Sequence, residues 1–213
     1  MQDAAAALPA QLFGDLKGKK IADLCAAPGG KTAQLAALGA DVIAIEQSAN
    51  RAARLTENLD RLKLTAEIRN TDLFEFKPEN LLDGVLLDAP CSSTGTTRRH
   101  PDVLWTKGPE DIEKLAGLQA RMLRHAVTLV KPGGLIVFSN CSLDPLEGEE
   151  LVKTLLREDP SVERVPIRPQ DWPGLETAIT AEGEFRTTPA MLPGDEVYAG
   201  GMDGFFACVL RRR

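Results

Sequence analysis

Two cysteines sit where a thiol can do chemistry. Cys91 lies in Asp88-Ala89-Pro90-Cys91-Ser92-Ser93-Thr94-Gly95 and Cys141 in Ser139-Asn140-Cys141-Ser142-Leu143, each just past an apolar run of strand length. The thiolate is the nucleophilic form of cysteine, and a strand end can present it to a ligand. If the two strands are neighbours, both thiols and the Asp88 carboxylate come to one rim. Cys25 and Cys208 fall in apolar strand-like runs and read as core filling. None of the four cysteines forms a CxxC pair, and His100 and His125 stand apart from any paired-ligand spacing. No metal site is therefore expected.

Other polar residues at strand ends suggest a nucleoside-bearing cofactor. In Asp23-Leu24-Cys25-Ala26-Ala27-Pro28-Gly29-Gly30-Lys31-Thr32 a glycine pair separates a strand from a helix. Such a turn lets backbone approach a ligand closely, and the following helix N-terminus favours a carboxylate or phosphate. Gly30-Lys31-Thr32 is not a P-loop, because the motif's first glycine is missing, and the stretch also lacks GxGxxG. Glu46 ends the next strand, where an acid can accept from both ribose hydroxyls. Asp72 follows a third strand, within reach of an adenine amino group. Singly, each acid reads as a loop residue or cap; jointly, with the glycine turn, they outline a nucleoside site.

The elements that must position these residues alternate. Strands are expected at 21–25, 41–46, 66–70, 83–88 and 135–139, with a last one at 204–210. Helices are expected at 31–38, after a Ser48 cap, at 110–130 and at 147–157. Lys131-Pro132-Gly133-Gly134 stops the long helix. Strands alternating with helices predict an α/β, doubly wound, mostly parallel sheet, which binds ligands beyond the carboxyl ends of its strands.

The 213 residues suit one domain, 1–213, with 43% apolar and 26% charged residues. No apolar run is long enough to span a membrane and no secretory leader is read, so a cytoplasmic enzyme with free thiols is expected. A net charge of −6 argues against a domain that grips nucleic acid by bulk electrostatics, despite local clusters at Arg98-Arg99-His100 and Arg211-Arg212-Arg213. The C-terminal cluster reads as solvated surface.

DLCAAPGGKT, DAPCSSTGTTRRHPD, NCSLDPLEGEE and GMDGFF together resemble the Sun/Fmu family of RNA cytosine-5 methyltransferases, most closely its bacterial 16S ribosomal RNA branch. The resemblance covers nearly the whole chain. It departs at Asn140, where the family has threonine, and around Glu147-Gly148-Glu149, where the pattern runs closer to PEEN. What it implies is a Rossmann-like class I S-adenosylmethionine-dependent methyltransferase fold with an antiparallel last strand. S-adenosylmethionine would be held by Cys25, Ala26, Ala27, Pro28, Gly29, Gly30 and Lys31, with Glu46, Arg51, Asp72 and Asp88. Cys141 would be the nucleophile, Cys91 would assist product release, and Asp88 would hydrogen-bond the pyrimidine near N3. The substrate implied is RNA, with Arg98, Arg99 and His100 able to hold flanking phosphates. The family also carries an N-terminal RNA-binding region, so RNA affinity is expected to be supplied largely elsewhere.

Carbon 5 of cytosine is a poor nucleophile until a thiolate adds to carbon 6, which divides one hard step into easier ones. A free thiol titrates at about 8.5, and lowering it to about 7 needs roughly 2 kcal/mol of preferential stabilisation. Lys31 is a candidate source, the alternative being a lysine that simply faces solvent. Three alternatives stand beside this reading. Methylation of transfer RNA is one, and a DNA cytosine-5 enzyme with its nucleophile after Pro90 is another. The third is a non-catalytic cofactor-binding assembly module.

Overall fold

The computed structural model describes residues 2–192 and 200–213. Its chain order is α1 (Leu8–Gln11), β1 (Lys20–Leu24), α2 (Gly30–Ala37), β2 (Asp41–Ile45), α3 (Ala49–Leu62), β3 (Glu67–Arg69) and β4 (Leu82–Asp88). Then come α4 (Val103–Thr106), α5 (Pro109–Leu129), β5 (Val130–Asn140), α6 (Glu149–Glu158), β6 (Val162–Arg164), β7 (Phe185–Thr187) and β8 (Phe205–Arg212). Among the described residues these strands form one eight-stranded sheet in the order β3-β2-β1-β4-β5-β8-β6, with β7 also paired to β8. The pairs from β3 to β5 are parallel, whereas β8 runs antiparallel to β5, β6 and β7. The expected α/β fold, mostly parallel with an antiparallel last strand, is what forms.

Alternation along the strands gives the sheet a core on each face. Ala22, Leu24, Ile43, Ile45, Val85, Leu87, Ile136 and Phe138 pack with α5 and α6 through residues such as Leu123, Ala126, Val152 and Leu155. Ile21, Val42, Leu86 and Val137 face the other way, onto Leu8, Phe13, Leu16 and Leu35. A strand covered on both faces must be apolar throughout, which is why β4 reads as a continuous run. No helix among the described residues is long and apolar enough to cross a membrane.

Boundaries differ from expectation where backbone geometry intervenes. β1 stops at Leu24 because Cys25 adopts a left-handed conformation, φ 67°. The short strands β6 and β7 arise within a Pro- and Gly-rich stretch where no periodic signal exists, templated by the free edge of β8. Arg211 and Arg213 pair with Glu163, and Arg212 donates to the Val130 carbonyl at 2.6 Å. The C-terminal arginines therefore pin this edge and are not merely solvated.

Gly95 lies where three segments cross. Its N–H donates to the Cys141 carbonyl and its carbonyl accepts from Gly204 N–H, both at 2.8 Å. A Cβ built on Gly95 would stand 1.9 Å from the Gly204 oxygen and 2.8 Å from the Cys141 oxygen. Gly95→Ala is therefore expected to cost about 1–3 kcal/mol or more, as overpacking does. The unfolding midpoint in urea checks this; an unchanged midpoint would mean that the crossing relaxes freely.

Candidate active site

The loop after β1 is built by backbone constraints. Cys25 turns left-handed, Ala26 N–H donates to the Ile45 carbonyl at 2.9 Å, and Ala27–Pro28 is cis. Gly29 has φ 100° and packs so close to Leu55 that a Cβ there would meet its Cδ1 at 2.4 Å. Only glycine satisfies both conditions. Gly30 then opens α2 and Lys31 follows it.

Glu46 holds this loop as well as facing the cavity. Its Oε2 accepts from Ala27 N–H at 3.3 Å and its Oε1 from Ser48 N–H at 2.9 Å. Arg51 donates to the Ala27 carbonyl at 2.9 Å and lies 3.4 Å from Glu46 Oε2. Asp72 accepts from Phe74 N–H at 2.9 Å and from Gln47 Nε2 at 3.3 Å.

Two cavities flank the loop. One, of about 420 Å³, is lined by Cys25, Ala27, Glu46, Arg51, Asp72 and Asp88, and also by Cys91 and Cys141. The other, of about 730 Å³, is lined by the whole stretch from Cys25 to Lys31 with Asp23, Asp88 and Arg99. The smaller cavity unites most of the expected nucleoside residues with both thiols. Ala26, Pro28, Gly29, Gly30 and Lys31 face the larger one, and Cys25, Ala27 and Asp88 border both.

The two thiols meet. Cys91 Sγ and Cys141 Sγ are 3.4 Å apart, with Ser93 Oγ 3.5 Å from Cys141 Sγ. The hydrogen bond with Cys91 above all, and then that with Ser93, holds Cys141 below the ordinary thiol range, while burial and the Asp88 charge oppose this. Cys91 is pushed well up by the same hydrogen bond, by burial and by the facing thiolate. The two thiols are thus unequal, Cys141 lowered and Cys91 raised. Lys31, the candidate source of this stabilisation, contributes least among the named causes. Its side chain is 11% exposed and its Nζ donates instead to Asp88 Oδ2 at 2.7 Å, while Asp88 Oδ1 accepts from Ser139 Oγ at 2.8 Å. Cys25 borders both cavities, but burial and the nearby acids push its thiol up to about 12. Cys208 is fully buried in the core, as expected.

Several participants have no separate signal in the sequence. Ser93 and Ser139 are ordinary loop and strand residues until the fold brings them to a sulfur and a carboxylate. Glu147, expected to begin a helix, sits instead in a turn over Pro145–Glu147 with its carboxylate wholly buried. Arg98 pairs with Asp3 at 2.9 Å, and Arg99 grips Asp203 with two nitrogens. Their charge is already matched within the fold, which weakens the expectation that they hold phosphates.

Asp23 is the remaining surprise. It is 1% exposed, accepts from Thr32 Oγ1 at 2.6 Å and leaves its Oδ1 without a partner. Burial pushes its carboxyl up to about 7, against the Thr32 bond. The native state then keeps a proton that the unfolded chain has lost, so stability falls as pH rises from about 4 to 7. Asp23→Asn should remove that slope. The variant is expected to gain a few kcal/mol over the wild type between pH 4 and pH 8, at roughly 1.4 kcal/mol per pKa unit. Urea unfolding of both proteins across this range checks it; parallel curves would count against the shift.

A mostly parallel sheet that runs its first strand into a glycine turn, with acids at the ends of its neighbours, defines a class I S-adenosylmethionine-dependent methyltransferase fold. Residues 11–211 match the family described as 16S rRNA methyltransferase RsmB/F, and the chain belongs to that family. It is 38% identical over 219 residues to ribosomal RNA small subunit methyltransferase B of Vibrio vulnificus, covering 99% of this chain and 46% of the relative. NSun6 from Pyrococcus horikoshii, solved with SFG, superposes with a TM-score of 0.81 at 27% identity, covering 99% of this chain and 52% of that one. A methyltransferase homolog protein from Pyrococcus horikoshii superposes with a TM-score of 0.78 at 28% identity, over 100% of this chain and 67% of that one. The chain spans about half the length of the ribosomal RNA relative. The family bears out the resemblance drawn from the motifs.

Proposed function

We propose that residues 1–213 form the catalytic unit of an enzyme that methylates carbon 5 of a cytosine in small-subunit ribosomal RNA, with S-adenosylmethionine as donor. The observation that carries this is the pair of unequal thiols 3.4 Å apart, in the cavity that also holds Glu46 and Asp72. Neither an amino-group methyltransferase nor an assembly module has a use for such a pair.

The residues present fit the donor. Glu46 and Asp72 are acceptors suited to hydroxyl and amino groups, and a carboxylate that already accepts two bonds retains lone pairs for more. Asp23 borders the larger cavity and has a buried Oδ1 without a partner. S-adenosylmethionine, when bound, supplies an electrophilic methyl group. The chain's own part begins with Cys141, whose thiolate adds to carbon 6 of the base and enriches carbon 5. Asp88, oriented by Ser139 and Lys31, stands at the same rim to hydrogen-bond the ring. A base then removes the carbon-5 proton, the bond from carbon 6 to sulfur breaks, and Cys141 leaves as thiolate. Cys91, which holds a proton against Cys141, assists that last step. The target base must leave its stack to reach the thiols.

A chain of net charge −6 with Arg98 and Arg99 already paired grips RNA weakly by itself. RNA affinity then resides largely in the remaining length that the ribosomal relative possesses.

Alanine variants of the two cysteines test the division of labour. Cys141→Ala should abolish both methylation and any covalent RNA adduct. Cys91→Ala should attack and methylate, then stall, giving a protein–RNA band that survives a denaturing gel. The reverse pattern would support a DNA-type assignment with Cys91 as nucleophile, and two active variants would end the covalent mechanism.

Asp72→Ala tests the donor site. Loss of a charged hydrogen bond of about 1.5–3 kcal/mol should weaken S-adenosylmethionine binding roughly ten- to a hundredfold. Titration calorimetry that finds unchanged affinity would remove Asp72 from the site.

A further inference from the structure

One buried residue, Glu147, links the two cysteine loops, its carboxylate on the Cys91 side and its backbone carbonyl on the Cys141 side. Glu147 accepts from Ser92 N–H at 2.9 Å and from the Ser92 hydroxyl, so it holds the residue after Cys91. It also accepts from Gln119 Nε2 at 2.7 Å, and that amide donates to the Pro90 carbonyl at 2.9 Å, the residue before Cys91. On the other loop, Asn140 donates to the Glu147 backbone carbonyl at 2.6 Å and accepts from Ser142 N–H at 3.0 Å. Ser142 Oγ meets Ser92 Oγ at 3.0 Å and closes the circuit. Both Glu147 and Gln119 are fully buried, so water cannot substitute for a lost partner. Three donors converge on the Glu147 side chain, and only an acceptor-only group receives them all.

We propose that Glu147 is a positioning residue that sets the placement of Cys91 against Cys141. The proposal rests on the reading of these thiols given above. Glu147 touches neither sulfur, and it acts through Ser92, Gln119 and its own backbone. Its negative charge also lies among the causes that raise the Cys91 thiol. Asn140, at the position where the family pattern has threonine, supplies both a donor and an acceptor to the same circuit.

Glu147→Gln preserves shape but turns an amide NH₂ toward donors. The test follows alkylation of Cys141 by iodoacetamide against pH, resolved from Cys91 by peptide mass spectrometry, in the chain without RNA or donor. In the variant, alkylation near pH 7 should slow at least fivefold and its pH midpoint should rise. Turnover on RNA should fall at least tenfold in kcat with KM for RNA within twofold. If Glu147→Gln does not fold, Ser92→Ala and Gln119→Met, each removing one donor, should move the alkylation profile the same way by a smaller factor. A folded Glu147→Gln with the wild-type alkylation profile overturns the proposal, as does a rise in KM with kcat and alkylation unchanged. So do Ser92→Ala and Gln119→Met profiles that both match the wild type. The alkylation readout needs no methyl transfer. Should the cytosine-5 reading fail, the profile still shifts; should only the positioning fail, Cys141→Ala still abolishes methylation while the profile stays put.

Discussion

The parallel register of β4 against β5 is the constraint on which the rest of the molecule depends. Asp88 stands opposite Ser139, and Ala89 N–H donates to the Ser139 carbonyl at 2.9 Å. Cys91 lies three residues beyond one partner and Cys141 two beyond the other, so this register decides whether the sulfurs meet. A slip of one residue would turn every β4 side chain to the opposite face. Val85 and Leu87 against α5, with Leu86 against the other layer, make such a slip expensive. The apolar strands thus pay for a polar rim.

That rim concentrates groups that would be costly anywhere else. Asp23, Glu46 and Glu147 are carboxyls with almost no contact with solvent, and Lys31 and Asp88 neutralise one another between the two cavities. Each buried acid is supplied with donors drawn largely from loop backbone and neighbouring hydroxyls, which is how burial of a polar group becomes tolerable. Asp23 Oδ1 is left unpartnered among them. The lowered Cys141 and raised Cys91 follow from the same crowding, since the hydrogen bond between the two sulfurs lowers one thiol and raises the other.

Packing on the far side of the sheet has a different purpose. β8 enters antiparallel beside β5, and Gly204, the residue before it, crosses Gly95 at backbone distance. The Asp203 carboxylate just before it takes Arg99, and its N–H donates to Asp3 at 2.9 Å. The end of the chain therefore braces the Cys91 loop from outside, while α5 and the turn at Glu147 brace it from within.

Much of this was legible in the residues themselves. Alternating apolar runs and helical periods depend on local spacing, so the α/β order, the long helix ended by Lys131-Pro132-Gly133-Gly134 and the strand-end placement of Cys91, Cys141, Glu46 and Asp72 could be read without a fold. The glycine turn was equally local, because φ 100° at Gly29 is a property of one residue. What the tertiary structure alone decided is non-local. Which donor lowers the Cys141 thiol, that Lys31 spends its charge on Asp88, and that Arg99 is taken by Asp203 depend on partners 50, 57 and 104 residues away. Glu147 was hidden for the same reason. In the sequence it is one acid among several near a helix start, and only closure of the sheet buries it among Ser92, Gln119 and Asn140.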